Sequence, residues 1–350
     1  MIYFDHNATT PVDEGVLEAM QPFLTTFFAN PSSLYRAGRI VRSAVETARE
    51  QVAALVSVQP SQIIFTSGGT EANNLALKGL RISNNLPHIA ASAVEHPSVL
   101  EPASWLGQHG GSFETIGVDA HGRIKHEDFE KICIDKTDLI SVMLANNETG
   151  VVYEISELSA VAHERNILFH TDAVQAAGKI PVDFDRLGVD SMTLSSHKIY
   201  GPKGAGALVV DQKLELSPII SGGGQEHGYR AGTENVAAIV GFGKAAELAK
   251  SQTEQRSRYV LDLKNRLETG LQRIHGLVIF GGESDRLPNT VQFGIPGTDG
   301  EMLLMQLDIK GVAVSSGSAC SSGGGEASHV LMAMGVEESL AKSAIRISLG

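Results

Sequence analysis

Ile63-Ile64-Phe65-Thr66-Ser67-Gly68-Gly69-Thr70-Glu71-Ala72-Asn73-Asn74 decides the fold: a short β-branched and aromatic run stops at paired glycines, and a helical pattern opens directly behind them. Outward from it the same alternation continues to about residue 210. Apolar runs stand at Ile89-Ala90-Ala91, Leu139-Ile140-Ser141-Val142-Met143, Ile167-Leu168-Phe169-His170, Met192-Thr193-Leu194 and Ala207-Leu208-Val209-Val210. Between them, Glu71 to Lys78, Ser98 to Gln108 and Glu157 to Arg165 carry helical spacing or caps. Such alternation predicts an α/β fold with a mainly parallel sheet covered on both faces, whose ligands bind where strands end and helices begin. After Thr233 the pattern becomes a long helical region, Glu234 to about Gly270, with a polar break at Ser251-Gln252-Thr253-Glu254. Strands at Val278-Ile279-Phe280, Val291-Gln292-Phe293 and Val312-Ala313-Val314, with a helix at Glu301 to Leu307, then predict a smaller α+β domain beginning near residue 250.

Composition narrows the function classes. The chain has 350 residues, enough for a large core, and no apolar run near the ~18 residues of a membrane span. It begins without the basic and apolar regions of a signal peptide, so a cytoplasmic location is expected. A net charge of -12 gives no general attraction to nucleic acid or to an anionic membrane. Two distant cysteines, with no Cys-x-x-Cys pair, argue against structural disulfides and an intrinsic metal site.

Of those two cysteines, Cys133 reads as a small core residue. Cys320 differs. Nine of the eleven residues from Ser315 to Gly325 are Gly or Ser, which predicts a mobile loop presenting a reactive thiol.

Polar residues at strand ends have no place in a core unless they bind something. The Gly68-Gly69 turn opens a helix whose N–H groups and dipole suit a phosphate, although Thr70 as a plain helix cap explains the same residues. Asp172 follows a hydrophobic strand, where an unpaired carboxylate is costly and calls for a cationic partner. Ser195-Ser196-His197-Lys198 ends another strand, with Lys203 in Gly-Pro-Lys-Gly as a rival lysine. A lysine, a buried acid and a phosphate cradle together suggest a Schiff base to pyridoxal 5'-phosphate: Asp172 keeps the pyridine nitrogen protonated, Gln175 bonds the ring hydroxyl, and Thr70, Ser195 and His197 take the phosphate.

Across nearly its full length the sequence resembles the cysteine desulfurases of the NifS and IscS kind, within the fold-type I, class V aminotransferase-like enzymes. The likeness rests on Tyr3-Phe4-Asp5-His6-Asn7-Ala8-Thr9-Thr10, Asn30-Pro31-Ser32-Ser33, Thr66 to Glu71, Glu95-His96-Pro97, Asn146-Asn147-Glu148-Thr149-Gly150, His170 to Gln175, Ser196-His197-Lys198 and Arg230-Ala231-Gly232-Thr233-Glu234-Asn235. Ser315 to Cys320 resembles its long-loop group, which hands sulfur to a separate scaffold.

The resemblance implies a seven-stranded sheet in a large cofactor-binding domain (15–250) and a small domain from 1–14 and 251–350. It further implies that Lys198 is the Schiff-base lysine and proton shuttle, that His96 stacks on the pyridine ring, and that Asp172 and Gln175 meet its nitrogen and hydroxyl. Gly69, Thr70, Ser195 and His197 match phosphate ligands, and Thr233 one supplied in trans by the other subunit of a homodimer. Asn147, near the cofactor, and Arg346 match holders of the carboxylate of L-cysteine. Cys320 matches the thiol that takes the sulfur as a persulfide, and it is the residue to ligate a transferred iron–sulfur cluster. The expected partner is an iron–sulfur scaffold or another sulfur acceptor. His6 and His227 stand where relatives often carry Asn and Arg and are given no role, and relatives usually continue beyond the position of Gly350. On local sequence alone, His96 also reads as a helix cap before Pro97 and Arg346 as a surface ion pair. Rival functions are an aminotransferase or lyase for another amino acid, selenocysteine included, and a non-catalytic sulfur-handling protein.

Overall fold

The structure, a computed structural model, describes residues 1–81, 86–134, 136–316 and 326–350. Strand β1 (Ile2–Tyr3) precedes α1 (Glu14–Thr25), whose cap Asp13 accepts from Gly15 N, and α2 (Arg36–Leu55). In α2 the buried Val41, Val45, Ala48 and Val52 recur at three- and four-residue spacing, so one stripe of the helix faces the core.

The next segment runs β2 (Ile63–Thr66), α3 (Gly69–Lys78), β3 (His88–Ser92), α4 (Pro97–Gln108), β4 (Ser112–Ile116), α5 (His126–Ile132), β5 (Leu139–Ser141), α6 (Ile155–His163), β6 (Leu168–Asp172), α7 (Phe184–Leu187), β7 (Ser191–Ser195) and β8 (Gly206–Val210). Among the described residues these strands form a seven-stranded sheet in the order β2-β8-β7-β6-β5-β3-β4. Only β8 runs antiparallel to its neighbours, so the expected mainly parallel sheet is present. Side-chain alternation divides the core in two: Ile63 and Phe65 join Ile140, Phe169 and Phe242 in one cluster, whereas Ile64 joins Leu75, Ile89, Leu106 and Leu208 in the other. Strands apolar on both sides need helices on both faces, and each fully buried Leu, Ile or Phe contributes about 1.5–3 kcal/mol. The edge strand β4 has no counterpart in the apolar-run reading, because Glu114 and Thr115 are exposed there.

Helix α8 (Val236–Leu271) runs 36 residues without the expected break. Ser251 and Thr253 bond the carbonyls of Leu248 and Ala249, so their hydroxyls are satisfied within the helix rather than ending it. The expected domain boundary near residue 250 therefore falls inside a continuous helix. Its first half, Ala238 to Ala249, belongs to the first core cluster, and Val260 to a third.

The remainder comprises β9 (Val278–Ile279), β10 (Thr290–Gly294), α9 (Gly300–Ile309), β11 (Val312–Ala313), β12 (Ser315–Ser316), α10 (His329–Ala333), α11 (Glu338–Lys342) and β13 (Ile345–Ser348). Strands pair antiparallel in the order β12-β13-β10-β9, and β1 pairs parallel with β11. Val291, Phe293, Ile345, Ile347 and Leu349 are buried together in the third cluster.

One buried ion pair ties the segment before Thr233 to the sheet. Arg49 donates to both carboxylate oxygens of Glu226, at 2.8 and 2.7 Å, and to Ile63 O, while Glu226 Oε2 also accepts from Phe65 N.

Candidate active site

The carboxyl ends of β2, β6 and β7 lie along one edge of the sheet, and the sequence-marked polar residues gather there. Gly68, not Thr70, is the cap residue of α3, with no side-chain cap bond, so Thr70 sits exposed in the first turn. A Cβ on Gly206 of β8 would stand 2.5 Å from the Gly68 carbonyl carbon, which is why the strand can pass under this turn only as glycine. A Cβ on Gly69 would meet Val174 Cγ2 at 3.1 Å and Ser195 Cβ at 3.6 Å, so the helix start is seated directly on the end of β7. Ser195 Oγ is buried with no hydrogen-bond partner among the described residues. A buried hydroxyl beside a helix N-terminus suits an anionic ligand oxygen.

Asp172, at the end of β6, is buried, and its partners among the described residues are neutral N–H donors. Oδ1 accepts from Val174 N at 2.9 Å and Oδ2 from Asn73 Nδ2 at 2.8 Å. Asn73 also donates to Ser98 Oγ at 2.8 Å, and Ser98 Oγ lies 2.8 Å from His96 Nδ1. His96 caps α4, its Nδ1 accepting from Ser98 N at 3.1 Å. Because Nδ1 accepts from that amide, it holds no proton, the Ser98 hydroxyl donates to it, and the proton of the neutral ring is on Nε2. Burial first, then Lys198 and His329, outweigh the pull of Asp172 and hold the His96 pKa below the usual histidine range.

Lys198 ends the turn Ser196–Lys198 behind β7, and its amine donates to the carbonyls of Asn7 and Ala8, the latter at 2.7 Å. Lys203 is exposed. His197 Nδ1 lies 3.1 Å from Thr9 Oγ1, and burial, Lys198 and Lys203 lower its pKa to about 4. Gln175 Nε2 donates to Asn7 O at 2.9 Å.

From the second sheet, β13 brings Arg346 to the same place. Arg346 is buried and donates to Asn147 O at 3.1 Å and to Asp5 Oδ1 at 2.7 Å, and its Nε is buried without a partner among the described residues. The ion pair expected as an alternative is present, yet it is not on the surface. Thr233 is exposed, beyond the Glu226 anchor. Cys133 is buried, which pushes its thiol up to about 11. Cys320 and the loop around it lie outside the described residues.

Three side chains that sequence reasoning left without roles join these groups. Asn7 is 1% exposed; its carbonyl receives Gln175 and Lys198, its Nδ2 donates to Asn147 O and Thr290 Oγ1, and its Oδ1 receives Lys179 and Asn289. Asn73 and Ser98 form the link between Asp172 and His96. Asn73 stands in the helix-opening stretch Thr66 to Asn74, two residues after Glu71, and is 1% exposed.

A lysine, a buried carboxylate, an imidazole and an anion-suited helix start thus face one space, with an arginine entering from the second sheet. The family model described as aminotransferase class-V matches residues 2–350. Cysteine desulfurase IscS of Dictyoglomus turgidum is 46% identical over 352 residues, covering 100% of this chain and 89% of that protein. A solved NifS-like protein superposes with a TM-score of 0.93 at 38% identity, covering 99% of this chain and 93% of the other. SspA, solved in complex with cysteine, gives a TM-score of 0.87 at 35% identity, covering 100% and 99%. The chain belongs to the aminotransferase class-V family, among its cysteine desulfurases.

Proposed function

We propose that this cysteine desulfurase converts L-cysteine to L-alanine with pyridoxal 5'-phosphate bound at the sheet edge, passing the sulfur to Cys320. The observation that carries the cofactor reading is the pairing of the unpartnered Ser195 hydroxyl, beside the start of α3, with Asp172 held by two N–H donors. Gly69, Thr70, Ser195 and His197 hold the phosphate, with Thr233 of a second subunit completing the set. Asp172 keeps the ring nitrogen protonated, His96 lies against the ring, and Gln175 meets its hydroxyl. When bound, the cofactor supplies an electron sink for charge that develops at the substrate α-carbon.

Lys198 anchors the cofactor and then moves the proton at the substrate α-carbon. Its carbonyl partners fix where the amine stands, and carbonyls take no proton from it. Arg346 binds the substrate carboxylate with Asn147 beside it; the Asp5 contact holds the guanidinium in place beforehand. Neutral His96 carries its proton on Nε2, so the ring presents that N–H as a hydrogen-bond donor at the site. The Cys320 thiolate attacks the substrate sulfur, so that L-cysteine and the Cys320 thiol give alanine and the Cys320 persulfide.

We place the protein in the cytoplasm, and the receiver of that sulfur is an iron–sulfur scaffold or another acceptor protein; a transferred cluster is then cargo that Cys320 ligates. Among the described residues no helix is long and apolar enough to cross a membrane. Exposure of Thr233 supports its service to a neighbouring subunit. Borohydride treatment of the holoenzyme followed by peptide mass mapping tests the cofactor reading: the modified peptide contains Lys198, whereas modification at Lys203 or nowhere contradicts it.

A further inference from the structure

Lys179 lies outside every role assigned so far, yet its amine sits directly behind Gln175. Nζ is 2.7 Å from Gln175 Oε1 and 2.9 Å from Asn7 Oδ1. Among the described residues no carboxylate pairs with it. The charged groups that face it are Lys198 from the turn after β7 and Arg346 from β13, with His6 and Arg256 sharing the small cavity of about 40 Å³ on which it opens. We infer that Lys179 is a positioning residue that fixes the amide of Gln175 so that its oxygen points inward and an N–H is presented to the cofactor's ring oxygen.

The argument is one of donors and acceptors. An amide has an oxygen that only accepts and a nitrogen that only donates, and the two ends are nearly equal in size. At Gln175 one end faces an amine and the other faces the Asn7 carbonyl at 2.9 Å. A flipped amide would set N–H groups against the N–H groups of Lys179 and an oxygen against the Asn7 oxygen, losing two hydrogen bonds and opposing two acceptors. With the observed orientation, one Nε2 hydrogen goes to Asn7 O and the second remains for a ligand. A ring oxygen that carries negative charge needs a donor there and would be repelled by the amide oxygen. Burial, with Lys198 and Arg346, holds the Lys179 pKa well below the usual lysine range. Both contacts use amine hydrogens: Nζ donates to Asn7 Oδ1 and to Gln175 Oε1.

This inference rests on the reading of Gln175 given above, and the test separates the two. The probe is the holoenzyme's visible absorbance titrated against pH, in the wild type, Lys179→Met, Gln175→Ala and the double variant. Losing the donor leaves more charge on the ring oxygen, which then retains the neighbouring titratable proton more firmly. Both single variants are expected to move the midpoint upward, Gln175→Ala by about one pH unit, the worth of one hydrogen bond. The double variant is expected to match Gln175→Ala alone, because Lys179 acts through the amide. Should Lys179→Met leave the midpoint in place while Gln175→Ala moves it, or should the two shifts add, this inference is wrong and the role of Gln175 stands. An unmoved midpoint in Gln175→Ala removes both. If Lys179→Met does not load cofactor, Lys179→Arg keeps donors toward both oxygens: a midpoint near the wild type supports the assignment, and one matching Gln175→Ala overturns it.

Discussion

Asn73 donates one amide hydrogen to Asp172 Oδ2 and the other to Ser98 Oγ, both at 2.8 Å, so one helical side chain sets the orientation of the carboxylate and of the serine that governs His96. Asn73→Leu keeps the size and removes both bonds. A hydrogen bond to a charged group is worth about 1.5–3 kcal/mol, so the dissociation constant for pyridoxal 5'-phosphate should rise roughly 10- to 100-fold. Equilibrium dialysis of the loaded protein measures it; retention equal to the wild type would show that Asp172 needs no such orientation.

Ser98→Ala removes the hydroxyl that donates to His96 Nδ1 but leaves the backbone donor. Neutral imidazole loses a stabilising bond, and the His96 pKa moves up toward the ordinary histidine value. Nitrogen chemical shifts of His96 followed against pH in the cofactor-free protein report both the tautomer and the midpoint. A protonated Nδ1 in the neutral wild type would contradict the assignment.

Acid should destabilise the fold partly through histidines. Burial lowers His170 to about 3, and burial with Lys198 and Lys203 lowers His197 to about 4, both below the value of about 6.5 for an unfolded chain. Between these limits the unfolded state binds more protons, so each contributes stability that is present above pH ~6.5 and lost as pH falls, at up to about 1.4 kcal/mol per pH unit for the fully buried His170 and less for the partly solvated His197. Glu95 and Glu148, raised by burial, act in the opposite sense and contribute stability that is lost as pH rises through their folded values. Denaturant unfolding between pH 7 and 4 should show a smaller pH slope in His170→Asn than in the wild type; equal slopes would refute the histidine contribution.

The Arg49–Glu226 pair gives a test of stability away from the chemistry. Its side chains are 5% and 3% exposed, so Arg49→Met leaves a carboxylate in the core without its guanidinium. Removing one partner of a buried pair costs about 3–5 kcal/mol, whereas replacing both with apolar residues of like volume costs far less. Unfolding free energies of Arg49→Met and of the double variant Arg49→Met, Glu226→Leu decide the point, and a double variant as weak as the single would contradict it.

Much of the site was legible because its residues break a hydrophobic pattern. Asp172, Ser195 and Lys198 each follow an apolar run, and a polar residue in that place asks for an explanation. Asn7 carries no such local mark: its partners Gln175, Lys179, Lys198 and Thr290 lie far along the chain, and only the folded arrangement joins them. Strand β4 was hidden for the converse reason, since an edge strand keeps polar residues outward. The expected break in α8 misread Ser251 and Thr253, whose hydroxyls bond the helix's own carbonyls instead of ending it. Asp172 also accepts from two N–H donors that its charge alone did not point to, Val174 N and Asn73 Nδ2.

Sulfur transfer itself is tested most directly by incubating the loaded protein with L-cysteine, without reductant, and comparing alanine released with the mass of the Cys320 peptide. The account predicts one alanine per subunit in the first turnover and a gain of one sulfur atom on Cys320, with Cys320→Ala retaining the visible absorbance but releasing no sulfide when a thiol reductant is then added. Sulfide release by Cys320→Ala at the wild-type rate, or alanine formed with no sulfur on Cys320, would contradict it.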